Sequence, residues 1–143
     1  MSEVIPGLYI SNAFLSSDPT FLSKRRIGTV INCARDVLNT RYPGIRYIRL
    51  DLDDTLDQNL GNSLEYSYSV IRNSLEKGIP VLVHCFAGVS RSSSVCIYAL
   101  MRKYRIPFSQ ALSYMKKRHP NSRPNPAFAR QLSNISFRMF GRR

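Results

Sequence analysis

Apolar positions along the chain fall into two rhythms. Short runs rich in β-branched and aromatic residues, Gly7 to Ser11, Thr29 to Cys33, Tyr47 to Leu50 and Pro80 to His84, predict strands. The last is the strongest: Pro80-Val81-Leu82-Val83 is apolar without alternation and bounded by Gly78, as in a central strand buried on both faces. Between these runs the period lengthens. Asp18 and Pro19 open a short helix through about Lys24, with an acid at the cap and proline in the first turn. Leu60, Leu64, Tyr68, Ile71 and Leu75 mark a helix ending near Gly78. Val95, Ala99, Leu100 and Tyr104 mark another that begins about Arg91 and stops at Pro107. Ala111, Leu112 and Met115 predict a helix from about Ser109 to Arg118, closed by His119-Pro120. Phe128, Leu132, Ile135 and Met139 stripe a last one, from Pro126 to Met139. Strands alternating with helices predict an α/β fold: a central, mostly parallel sheet flanked by helices. The helical stripes read as core faces.

Length and composition narrow the class. A chain of 143 residues, 43% hydrophobic and 21% charged, is expected to form one domain over 1–143, and disorder, collagen and coiled coil are excluded. No apolar run approaches the roughly 20 residues that span a bilayer. The opening Met1-Ser2-Glu3-Val4-Ile5-Pro6-Gly7 shows no secretory signal, residue 2 is not glycine, and the chain ends Gly141-Arg142-Arg143, so no membrane anchor is expected. Cys33, Cys85 and Cys96 are too few and too far apart for a disulfide framework or a zinc site. A reducing compartment, cytoplasm or nucleus, is expected, with neither metal nor cofactor.

Charge changes the picture. All nine acids lie in residues 1–76, beside eight Lys/Arg, whereas residues 77–143 hold thirteen Lys/Arg and no acid. Such a half attracts phosphate-bearing or acidic partners. The pattern lacks the basic and aromatic repeats of a nucleic-acid module, so nucleic acid is not the expected partner.

Specific chemistry resides in Val83-His84-Cys85-Phe86-Ala87-Gly88-Val89-Ser90-Arg91-Ser92, which runs from a buried strand through a turn into a helix. At such a junction successive backbone N–H groups of Phe86, Ala87, Gly88, Val89 and Ser90 can encircle a small anion, with the helix N-terminus behind it. Gly88 supplies backbone angles such a turn needs. The planar fork of Arg91 can clamp two phosphate oxygens. Cys85 lies under the same positive field, which favours its thiolate. A thiolate beneath a bound phosphate is a nucleophile with its target in place.

This segment resembles the signature loop of cysteine-dependent protein tyrosine phosphatases, and more narrowly that of the dual-specificity subfamily, small atypical type. The similarity extends to Ile5-Pro6-Gly7-Leu8-Tyr9-Ile10-Ser11, Val30-Ile31-Asn32-Cys33, Tyr47 through Asp54, Leu100-Met101 and Arg123-Pro124-Asn125. It covers nearly the whole chain, from about Ile5 to Leu132. The resemblance implies a protein-tyrosine-phosphatase-like fold and a two-step phosphoryl transfer through a phosphocysteine. In that scheme Cys85 attacks, Arg91 and the loop amides hold the equatorial oxygens, and an aspartic acid protonates the leaving oxygen. Ser92 would help Cys85 leave as a thiolate. His84 would support Cys85 from behind by structural hydrogen bonding, and Asn32 would help hold the loop or else serve a surface turn. Among Asp51, Asp53, Asp54 and Asp57, ungapped comparison with the family favours Asp54 as the acid; one insertion would shift the role to Asp53. Cys33 and Cys96, in apolar settings, read as inert packing residues.

Two departures narrow the substrate. The loop residues Phe86, Ala87, Val89 and Ser90 are uncharged, unlike those of phosphoinositide-directed relatives, and the loop ends Arg91-Ser92-Ser93 rather than Arg-Thr-Gly as in RNA-triphosphatase relatives. Phosphoproteins are therefore the expected substrates, with the basic half as a docking surface for acidic segments. At this length a shallow pocket, open to phosphotyrosine, phosphoserine and phosphothreonine, is expected. The alternatives are a catalytically weak phosphoprotein-binding module and an RNA 5′-phosphatase. Oligomeric state is not readable.

Overall fold

The computed structural model describes residues 2–143; Met1, included in the single-domain expectation, lies outside them. In chain order the elements are β1 (Ser2–Ile5), β2 (Leu8–Ser11), α1 (Ala13–Ser16), α2 (Pro19–Lys24), β3 (Thr29–Ala34), β4 (Arg46–Leu52), α3 (Gly61–Glu76), β5 (Val81–His84), α4 (Arg91–Tyr104), α5 (Phe108–Arg118) and α6 (Pro126–Phe140). The strands form one five-stranded sheet ordered β1-β2-β5-β3-β4. The β1–β2 pair is antiparallel; β2–β5, β5–β3 and β3–β4 are parallel. The mostly parallel α/β sheet is thus present, with a hairpin at one edge.

Of the three inner strands, β3 and β5 are buried at every position, which explains their unbroken apolar runs. Alternate side chains go to opposite faces. Ile31, Val81 and Val83 join the core built by α3 to α6, and Val30 and Leu82 join Phe21, Leu22 and Ile27 beneath α2. Helix α4 is buried without interruption from Arg91 to Met101. It packs on the sheet on one side and on α3, α5 and α6 on the other, and its N-terminus follows directly from the loop that leaves β5.

Three features escaped the sequence reading. Strand β1 is short and half polar, so its pattern was invisible; it pairs with β2 through a turn in which Gly7 takes φ +84°. Helix α1 is one turn, set by Asn12, whose side chain accepts the Leu15 N–H at 2.9 Å. Between β3 and β4 the register slips by one residue: Asn32 faces Arg49, but Ala34 faces Leu52. The extra residue makes a bulge in which Asp51 adopts φ +54°, and it re-aims the end of β4 toward the signature loop.

Candidate active site

Cys85 follows β5 directly and is 2% exposed. Its Sγ accepts the Gly88 N–H at 3.2 Å and lies 3.1 Å from the Ser92 hydroxyl. The carbonyls around the loop are tied down one after another. His84 Nδ1–H donates to Cys85 O at 3.2 Å, Ala13 N–H to Phe86 O at 2.9 Å, and His119 Nε2–H to Gly88 O at 2.8 Å. Arg123 N–H donates to Val89 O at 2.8 Å, and Ser90 O accepts from both the N–H and the hydroxyl of Ser94. Across a trans peptide the N–H points opposite to the C=O. Carbonyls anchored outward therefore turn the following amides, of Phe86, Ala87, Val89, Ser90 and Arg91, toward the hollow above Cys85. Gly88 is required twice over. Its φ is +73°, and a Cβ there would lie 2.9 Å from the Ser11 carbonyl oxygen.

Arg91 closes the hollow. Its Nη1 donates to Asp36 Oδ1 at 2.5 Å and to Leu52 O at 3.0 Å. Burial penalises its charge, but the Asp36 hydrogen bond, with the charges of Asp36, Cys85 and Asp54, outweighs this and raises its pKa. The same hydrogen bond, ahead of a smaller desolvation penalty, holds Asp36 below the ordinary carboxylate value. Arg91 Nε has no partner, and it is the sole buried side-chain nitrogen or oxygen among the described residues in that condition. A buried donor left unsatisfied beside a ring of amides calls for an acceptor with several oxygens.

His84 is fully buried and its pKa is pushed down to about 4 by that burial, so its imidazole is neutral. The Cys85 carbonyl can only accept, which places the proton on Nδ1; Nε2 then accepts from the Asn39 amide at 2.9 Å. This is a structural prop and not a proton carrier. Asn32 is buried, not at a surface turn, and makes no hydrogen bond to the signature loop. It accepts from Ala34 N–H and donates to Val37 O, fixing the turn that delivers Asp36.

The candidate acids separate by their partners. Asp51 pairs with Arg49, and Asp53 turns to the Arg35 Nε at 3.2 and 3.3 Å. Asp57 is exposed. Asp54 Oδ1 accepts from Asn125 Nδ2 at 3.0 Å, while the Asn125 backbone N–H donates to Ser90 Oγ at 2.9 Å. Asn125 thus joins Asp54 to the signature loop, and Asp54 is the acid whose field reaches Arg91.

A cysteine seated under inward amides, a half-free arginine and an acid brought alongside can transfer a phosphoryl group. Comparison with known proteins agrees. The family described as "Dual specificity phosphatase, catalytic domain" matches residues 8–137. The chain belongs to that family. It is 33% identical to dual specificity protein phosphatase 21 of Homo sapiens over 97% of its length and 73% of the relative's. It is 34% identical to dual specificity protein phosphatase 18 of Rattus norvegicus over 99% and 70%. The crystal structure of human DUSP28 superposes with a TM-score of 0.92 at 25% identity, covering 99% of both chains.

As a dual specificity phosphatase of the cysteine-dependent type, the chain uses residues that its sequence did not single out. Asp36 and Asn39 sit in a turn without periodicity or motif, and His119 read only as a helix stop. Asn125 read only as a matching position. Each acts through a contact far away in sequence, which spacing cannot reveal. The other thiols of this phosphatase are buried and free, and burial pushes both Cys33 and Cys96 well above the ordinary thiol value.

Proposed function

We propose that the chain hydrolyses phosphotyrosine, phosphoserine and phosphothreonine in proteins, in two steps through a phosphocysteine. The Cys85 thiolate attacks phosphorus as the P–O bond to the leaving oxygen breaks, and the Asp54 carboxyl gives that oxygen its proton. The Asp54 carboxylate then takes a proton from water as the water oxygen attacks phosphorus. The S–P bond breaks, and Ser92 donates to the departing sulfur. The observation that carries this reading is the buried, partnerless Arg91 Nε at the end of the loop whose Gly88 N–H meets Cys85 Sγ. Protein substrates are favoured by a phosphate loop whose one charged side chain is Arg91. Acidic segments of those substrates would meet exposed Lys116, Lys117 and Arg118, which end just before His119, the residue that touches Gly88 O. A reducing compartment, cytoplasm or nucleus, fits three free cysteines.

The test compares phosphate release from phosphotyrosine, phosphoserine and phosphothreonine peptides and from 5′-triphosphorylated RNA, wild type beside Cys85→Ser, in chelator-containing reducing buffer. Release from all three peptides, lost in Cys85→Ser, is expected. Release from RNA alone would replace the reading with an RNA 5′-phosphatase. Phosphopeptide binding without turnover would replace it with a binding module.

A further inference from the structure

Four large apolar side chains stand out on the surface: Leu38 is 82% exposed, Phe14 80%, Leu56 70% and Phe86 63%. Every other exposed large hydrophobic among the described residues is at 49% or below. These four are scattered in sequence, yet each belongs to the phosphate loop or to a segment hydrogen-bonded to it, to His84 or to Asn125. Phe86 is in the phosphate loop itself. Phe14 follows Ala13, whose N–H holds Phe86 O. Leu38 lies between Val37 and Asn39, and Asn39 donates to His84 Nε2. Leu56 follows Thr55, whose carbonyl accepts from Asn125 Nδ2. The four most exposed large apolar side chains among the described residues therefore all stand on segments tied to the phosphate loop or to the Asp54 loop. Exposed apolar surface concentrated in this way marks a place where something apolar docks.

We infer that these four side chains form a rim around the Cys85 hollow and select phosphoprotein substrates carrying bulky apolar residues immediately beside the phosphorylated residue, a specificity that rests on the phosphatase reading above. An ester whose phosphorus sits over Cys85 necessarily places its neighbouring residues on the rim. The charges there identify the occupant. Asp54 and Asp57 flank Leu56, Asp36 precedes Leu38 by two residues, and Arg35 is tied to Asp53. An anionic bilayer, which favours Lys and Arg around an apolar insertion, meets carboxylates here instead. A peptide with Leu or Phe beside its phosphorylated residue meets complementary apolar surface and no like charge. Acidic segments belong farther along the substrate, on the basic face.

The experiment uses two phosphotyrosine peptides of equal net charge, one with Leu and Phe on either side of the phosphotyrosine and the other with Ser and Gln. Each is assayed for kcat/KM with wild type and with Phe14→Ser/Leu38→Ser, and a small aryl phosphate is the control. Wild type should prefer the apolar peptide by about 10-fold, and the double variant by about twofold or less, with aryl phosphate hydrolysis unchanged. Equal kcat/KM for the two peptides, or a preference that survives both substitutions, overturns the rim. Recruitment to vesicles of phosphatidylserine and phosphatidylcholine that is lost in the double variant would assign the rim to a membrane and overturn it too. So would a concentration-dependent self-association lost in that variant. Absence of aryl phosphate and peptide hydrolysis in wild type would instead strike the catalytic reading itself.

Discussion

Residues 85–91 and residues 53–59 face each other across Asn125, and they are held by different means. The phosphate loop is fixed through its own backbone: its carbonyls accept from β5, α1, α4 and from His119 and Arg123 in the connection between α5 and α6. The acid loop is exposed at Asp54, Thr55, Leu56, Asp57 and Asn59, and side-chain amides hold it. Gln58 accepts the Asp53 N–H at 2.9 Å, Gln131 grips Gln58 O and Leu60 N–H, and Asn125 grips Asp54 and Thr55 O. A set of donors that must meet developing charge gains from being immobile, because it then needs no reorganisation in the transition state. An acid that must let substrate in and product out gains from a hold that side chains can release.

The sharpest way to break this contrast is to alter the fixed side. Arg91→Lys keeps a charge but removes the planar fork, so Nη1 can no longer serve Asp36 and Leu52 O while Nε serves the phosphate. We expect kcat/KM for an aryl phosphate to fall by about 10³-fold. A loss under tenfold would mean that the cradle tolerates movement and the distinction between the loops fails.

The next effect is on stability, and its sign follows from His84. Folding lowers its pKa from 6.5 to about 4 by burial. Its stabilising contribution is complete above pH 6.5, where the unfolded chain is also neutral. As pH falls from 6.5 toward 4 the unfolded chain gains a proton that the folded chain refuses, costing ~3 kcal/mol over that window. Urea unfolding at steps from pH 7 to 4 should show this loss in wild type and a flatter curve in His84→Asn. Asp36, held low by its Arg91 hydrogen bond, and Glu65, held low by its Arg102 hydrogen bond, lose their contributions only at more acid pH. Identical slopes in the two proteins would remove His84 as the titrating prop.

On the movable side, Asp54→Ala should lower kcat by about 10²-fold for an alkyl phosphate and far less for a nitrophenyl ester, whose leaving group needs no proton. Asp53→Ala, which loses only an exposed pair with Arg35, should change either rate by less than about twofold. If the two variants exchange these behaviours, the acid is Asp53.

The same contrast explains what could be read from the sequence. The buried strands β3 and β5 and helices α3 to α6 announced themselves because burial imposes a period or an unbroken run, and α2 through Asp18 and Pro19 at its start. The phosphate loop was legible because His84 through Ser92 are contiguous and each residue type has a chemical reason for its place. Asp54 could be favoured as the acid only with the family's spacing, since four aspartates stand within residues 51–57 and the contact that sets Asp54 apart comes from Asn125, far along the chain. Asp36 was missed for the same reason: its importance comes from Arg91, brought to it by the sheet order. The bulge at Asp51 left no periodic trace, because one added residue in an exposed edge strand alters neither hydrophobicity nor spacing enough to detect.

Asn125 carries the smallest expected effect and the most specific one. It caps α6 through Oδ1, which accepts the Phe128 N–H at 2.9 Å, and it holds Asp54 through Nδ2. Asn125→Ser retains a capping oxygen but loses the amide donor, so α6 is preserved while the acid loop is released. Acting through Asp54, the change should lower kcat for an alkyl phosphate by about tenfold, a coupling of about 1.4 kcal/mol. In an Asp54→Ala background there is no carboxylate left to position, and the same change should cost less than about twofold. Equal losses in both backgrounds would mean that the Asn125 side chain does not act through Asp54. The two loops would then be one rigid unit, and the acid would owe its position to the same backbone lattice as the nucleophile.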